Sequence, residues 1–121
     1  MKRKIMVVDD SKFTRTMVGM PLGKAGYDVR SVGDPHEAIG MLSDERPDLI
    51  ISDLKMPTLM DGLGFLQMVA LETKDLPVLV YTADPGAKEA IADIGLDRVD
   101  LMVKPVAPHD LIAKIQELLG P

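Results

Sequence analysis

Short apolar runs alternate with helix-period segments from one end of the chain to the other, and this alternation limits the folds open to it. Strand-length runs fall at Ile5–Val8, Val29–Val32, Leu49–Ser52, Val78–Thr82 and Leu101–Val103. The first, third and fourth are almost continuously apolar, as parallel strands covered on both faces must be. Between them lie amphipathic segments. In the last, Leu111, Ile112, Ile115, Leu118 and Leu119 repeat at helical spacing and form one apolar face. Ala87, Ala90, Ile91 and Ile94 do the same in the fourth.

Helix ends are also legible. Asp34 suits an N-cap, Pro35 the first helical position and Glu37 the capping-box position. Gly95 and Gly120 are suited to end the fourth and fifth helices. The first helix, about Lys12 to Ala25, carries Gly19 and Pro21, and an interior proline costs ~3 kcal/mol. A kink or irregular turn is expected near Met20.

Five such βα units imply an α/β fold: a doubly wound five-stranded parallel sheet with five helices on its two faces, joined by right-handed crossovers. The flavodoxin-like order 2-1-3-4-5 fits the chain length, and residues 1–121 are read as one domain. In that order the topology reverses between strands 1 and 3. A ligand crevice is then expected beyond the carboxyl ends of those strands. Asp9-Asp10 follow the first strand and Asp53 the third, while Thr82-Ala83 and Lys104-Pro105 end the fourth and fifth. Each has a bland reading alone: a helix cap for Asp9 or Asp10, a turn for Asp53, a strand-end hydroxyl for Thr82, a solvated charge for Lys104. Their joint placement at one crevice favours a site.

Three carboxylates and one ammonium are electrostatically unfavourable without a further cation. A hard divalent ion such as Mg²⁺, which keeps waters beside one or two carboxylates, balances them. A carboxylate beside a cation and a lysine is suited to accept a phosphoryl group.

Composition removes other functions. The chain has no cysteine, which excludes disulfides, thiolate metal sites and cysteine nucleophiles. A net charge of −5 and only four aromatic residues (two Tyr, two Phe) oppose direct nucleic-acid binding. The apolar run after Met1-Lys2-Arg3-Lys4 stops at Asp9-Asp10, short of the ~7–15 residues of a signal-peptide core. No run approaches the ~18 residues of a membrane span. The expectation is a cytoplasmic protein with no membrane partner.

The acidic pair in Val7-Val8-Asp9-Asp10-Ser11, Asp53-Leu54-Lys55-Met56-Pro57 followed by Asp61-Gly62, Thr82-Ala83 and Lys104-Pro105 come in this order along Lys4 to Leu119. In this the chain resembles the receiver domain of two-component response regulators, in an architecture like that of stand-alone chemotaxis regulators. The resemblance implies that Asp53 is the phosphoacceptor and that Mg²⁺, or Mn²⁺ in its place, sits on Asp9, Asp10, Asp53 and the backbone carbonyl of Lys55. Of the acidic pair, it favours Asp10 as the direct ligand. It makes Thr82 the switch hydroxyl and Lys104 the phosphoryl-pairing cation, with a cis Lys104–Pro105 bond. A sensor histidine kinase or phosphotransfer protein is the implied donor, and an effector protein or domain the recipient. The implied output surface takes in Ala87–Ile94, Leu101, Met102 and the start of the last helix.

The chain departs from the family pattern in three places. Leu101 stands where a switch aromatic is usual, and strand alternation turns Tyr81 away from Thr82. One residue is added before Asp61-Gly62, and two between Gly95 and Lys104. Lys55 and Asp84 occupy positions that tune dephosphorylation, and are expected to pair over the site. Among the methionines, Met6 and Met17 are expected in the core, and Met60 and Met102 nearer the surface. A docking module with a degenerate site, and a metal-dependent phosphohydrolase, are the competing functions. Against the second, phosphatases of the haloacid dehalogenase type carry Asp-x-Asp after the first strand, whereas the nucleophile here would follow the third. No effector domain is read after the fifth helix, which leaves open a stand-alone regulator or part of a longer protein.

Overall fold

The computed structural model describes residues 2–55, 59–73 and 75–120, with the side chains of 59–61 outside that description. The elements run β1 (Lys4–Val8), α1 (Lys12–Lys24), β2 (Asp28–Val32), α2 (Pro35–Asp44), β3 (Leu49–Ser52), α3 (Leu59–Glu72), β4 (Val78–Thr82), α4 (Ala87–Ile91), β5 (Val99–Val103) and α5 (Pro108–Leu119). All strands pair in parallel, in the order β2-β1-β3-β4-β5. The expected doubly wound sheet is the one observed.

Alternation along each strand sorts the core into two layers. Met6 and Val8 of β1, Ile50 of β3, and Val78 and Val80 of β4 pack against Ala38 and Leu42 of α2, Phe65, Leu66 and Val69 of α3, and Ile91 of α4. Ile5, Val7, Leu49, Ile51 and Leu79 face the other way, onto Val18 and Leu22 of α1 and Leu111 and Ile115 of α5. Both faces of β1, β3 and β4 are therefore covered, which explains their unbroken apolar sequence. Burying one such side chain contributes about 1.5–3 kcal/mol.

Local chemistry sets the helix ends. The Asp34 carboxylate accepts from the His36 N–H at 2.9 Å at the start of α2, with Pro35 in the first turn. Gly95 and Gly120 adopt φ of 95° and 80°, a region where glycine has no Cβ penalty.

Several expectations are corrected. α1 passes through Met20 and Pro21 without a break. Pro21 deletes one N–H near the helix end, and the last turn still closes through Ala25 N–H to the Pro21 carbonyl at 3.0 Å. The bland alternative for the acidic pair also falls away, since Ser11 caps α1, its Oγ accepting from Thr14 N–H at 3.3 Å. α4 ends at Ile91, well before Gly95, so Ile94 packs from a turn rather than a helix. β5 starts at Val99, which draws into the sheet residues expected in the preceding loop. Met6 is fully buried, but Met17 is 57% exposed on the outer face of α1. Met102 is half-buried, and the Met60 side chain lies outside the described residues.

Candidate functional site

The sheet register brings the polar strand ends together. Val8 pairs with Ser52, and Thr82 with Val103. The ladder continues one residue further: Asp53 N–H donates to the Val8 carbonyl at 3.2 Å, Asp9 N–H to the Val32 carbonyl at 3.1 Å, and Lys104 N–H to the Thr82 carbonyl at 2.7 Å. The backbones of Asp9, Asp53 and Lys104 are thus fixed by the sheet itself. They stand at the carboxyl edge, where the chain's winding reverses on either side of β1.

The Lys104 side chain reaches back across β4. Its Nζ lies 3.0 Å from Asp53 Oδ2 and 3.4 Å from Asp9 Oδ2. Asp9 is 3% exposed, and its Oδ1 accepts from Ser11 N–H at 2.8 Å. Burial pushes the Asp9 carboxyl above its ordinary range, although the Ser11 N–H and the Lys104 ammonium pull against it. Burial also works against the charge of Lys104. Its bond to Asp53 and the field of both carboxylates outweigh that, and its pKa is raised. Asp53 Oδ1 accepts a 3.3 Å bond from Lys55 N–H. Thr82 is 1% exposed, and its Oγ1 accepts from Asp84 N–H at 3.3 Å.

Asp10 contrasts with Asp9. It is exposed, and its carboxylate has no hydrogen-bond or ion-pair partner among the described residues. The Asp10 and Asp53 carboxylates and the Lys55 carbonyl, the donors expected from the sequence, are hard oxygens of the type that suits Mg²⁺. Among the described residues no three His, Cys, Asp or Glu side chains form a metal-holding group.

One expected relationship is absent. No ion pair joins Lys55 to Asp84: Lys55 is exposed, and Asp84 Oδ1 instead accepts from Gly86 N–H at 2.8 Å, closing a local turn. Within the expected output surface, Leu101 and Met102 of the edge strand β5 point to opposite sides of the sheet. Leu101 packs on the α4 side, in a groove lined by Lys88, Ile91 and Val99, while Met102 packs on the α1/α5 side. Successive residues of a strand must diverge in this way. The Lys104–Pro105 bond is cis. Met56, Pro57 and Thr58 lie outside the described residues, as does the Asp61 side chain.

The structure adds contacts that the motifs do not show. Tyr81 faces away from Thr82, yet its ring centre is 5.1 Å from Lys104 Nζ, within cation–π range. Arg15 Nη1 donates to the Asp9 carbonyl at 2.6 Å. A Cβ on Gly62 would fall on the Leu54 carbonyl, so α3 approaches the segment after Asp53 at a point only glycine allows.

Comparison with known proteins agrees with this geometry. Residues 5–116 match the family model of the response regulator receiver domain. Response regulator MprA of Mycobacterium bovis is 35% identical over 119 residues, covering 98% of this chain and 51% of that protein. A probable transcriptional regulator, ycf27 of Porphyridium aerugineum, is 37% identical over 118 residues, covering 98% and 48%. The chain thus spans about half the length of these curated relatives. Among solved structures, chemotaxis protein CheY4 of Vibrio cholerae superposes with a TM-score of 0.89 at 34% identity, covering 98% of this chain and all of that one. The chain belongs to the response regulator receiver family, the phosphorylation-dependent switches of two-component signalling.

Proposed function

We propose that Asp53 is the residue that accepts the phosphoryl group, with a histidine kinase or phosphotransfer protein as donor. The observation that carries this reading is the Lys104 ammonium, held 3.0 Å from Asp53 Oδ2 at the topological switch point. A carboxylate oxygen of Asp53 attacks phosphorus in line with the donor's P–N bond. That bond breaks, an acyl phosphate forms, and the donor imidazole leaves and takes up a proton. Lys104 is pre-positioned to stabilise charge on the transferring group without reorganising, as oriented donors do in electrostatic catalysis. Thr82, at the end of β4, supplies a hydroxyl for a phosphoryl oxygen.

Asp10, Asp53 and the Lys55 carbonyl would hold Mg²⁺, or Mn²⁺ in its place, with Asp9 as a buried supporting charge. When bound, that ion supplies positive charge to the phosphoryl oxygens. Water later cleaves the acyl phosphate, and the exposed Lys55 and the turn-bound Asp84 flank its approach. No helix of the described residues is long and apolar enough to cross a membrane. A receiver of this kind passes its state to an effector, through Leu101 on the α4 side or Met102 on the α1/α5 side.

Beryllofluoride with Mg²⁺, followed by amide NMR, tests the reading. Shifts centred on Asp53, Thr82 and Lys104, absent from Asp53→Asn, are expected. No shift in wild type would favour a docking module, and steady turnover of a phosphomonoester would favour a phosphohydrolase.

A further inference from the structure

We infer that Arg15 is a positioning residue for the cation site, holding the Asp9–Asp10 peptide in place, and that Gly33 is glycine in order to admit its guanidinium. This rests on the reading that Asp10 and Asp53 bind Mg²⁺.

Asp9 is tied at four atoms. Its N–H donates to Val32, its Oδ1 accepts from Ser11, its Oδ2 faces Lys104, and its carbonyl accepts from Arg15 Nη1 at 2.6 Å. That carbonyl is part of the planar peptide unit whose nitrogen belongs to Asp10. Fixing the oxygen fixes the plane, and with it the direction in which the Asp10 backbone leaves Asp9. The exposed Asp10 carboxylate has no protein partner of its own among the described residues, so its aim depends on that backbone. Arg15 is itself anchored, since its N–H donates to the Ser11 carbonyl at 3.0 Å in the first turn of α1.

Gly33 lies just after Val32, in the loop that leads to α2. A Cβ there would lie 2.7 Å from Arg15 Nη1, 3.3 Å from its Cζ and 3.6 Å from its Nη2, so the three atoms nearest to it all belong to that guanidinium. Gly33 does not have a positive φ, so its backbone alone does not demand glycine. Alanine at 33 would displace the guanidinium from the Asp9 carbonyl while leaving its charge nearby. Arg15→Lys likewise keeps the charge but loses the guanidinium whose Nη1 donates to the carbonyl.

The test is Mg²⁺ alone titrated into the full chain by calorimetry, with circular dichroism to establish folding. Gly33→Ala and Arg15→Lys should each weaken Mg²⁺ binding by about 10-fold, the low end for groups that orient metal ligands. In an Arg15→Ala background, Gly33→Ala should change the affinity no further, since both substitutions act through one contact. A merely structural arginine would change the unfolding midpoint and leave Mg²⁺ affinity alone. Folded variants with wild-type affinity overturn the inference, as does a Gly33→Ala effect that persists without Arg15. Binding that needs Asp10 but ignores Arg15 and Gly33 overturns only this inference. A wild-type chain that binds no Mg²⁺ overturns the reading of the site as well.

Discussion

The Lys104 ammonium sits between unlike partners: Asp53 Oδ2 at 3.0 Å on one side and the face of Tyr81, 5.1 Å to its centre, on the other. The carboxylate holds the charge at the oxygens of the proposed phosphoacceptor, and the ring limits where else it can go. Lys104→Ala should slow phosphorylation by acetyl phosphate about 10²-fold, the usual scale for losing one oriented donor. A rate within a few-fold of wild type would mean that Lys104 is a structural partner of Asp9 and Asp53 only.

Tyr81 separates ring from hydroxyl. Tyr81→Phe keeps the ring face and should leave stability near wild type, whereas Tyr81→Leu should cost about 0.5–1 kcal/mol in urea unfolding. Equal behaviour of the two variants would show that the ring does not hold Lys104.

Asp9 makes a prediction about pH. Its folded pKa is raised above the ordinary 3.8, chiefly by burial. The folded state therefore holds the Asp9 proton more tightly than the unfolded chain, and ionising it costs stability. That cost is absent below the unfolded pKa, grows as pH rises through the folded pKa, and is complete above it. Asp9→Asn should raise the urea midpoint at neutral pH, with the gain fading toward the unfolded pKa. A lower midpoint at neutral pH would show that the Asp9–Lys104 pair outweighs the burial of Asp9.

Gly62 is a packing constraint. Gly62→Ala places a methyl on the Leu54 backbone, which cannot swing aside as a side chain tip would. A loss of at least the ~1–3 kcal/mol of an overpacked core is expected, read by urea unfolding. An unchanged midpoint would mean that α3 shifts freely against β3.

Much of this was legible in sequence because parallel sheets bury both strand faces. Unbroken apolar runs at Ile5–Val8 and Val78–Thr82 marked the strands, and the switch-point rule then placed Asp9, Asp53 and Lys104 at one edge. What sequence missed depends on reach and approach in space. Arg15 is an ordinary surface residue by composition, and only the fold lays it on the Asp9 carbonyl. Gly33 carries no signal in the sequence, and Gly62, though part of the Asp61-Gly62 motif, gives no sign of its approach to the Leu54 backbone, because what each avoids comes from another segment. Alternation turned Tyr81 away from Thr82 correctly, but could not show a lysine from β5 folding back over its ring. Pro21 misled because the local cost of a proline was counted without the packing of Val18 and Leu22, which holds α1 on the sheet.

Asp53 is the centre of the proposed switch. The most direct measurement is intact mass after incubation with acetyl phosphate and Mg²⁺, for wild type and Asp53→Asn, with peptide mapping of the modified site. One phosphoryl group on Asp53, lost on chelating Mg²⁺ beforehand and absent from Asp53→Asn, is predicted. A mass gain that persists in Asp53→Asn, or none in wild-type protein that binds Mg²⁺, would contradict it.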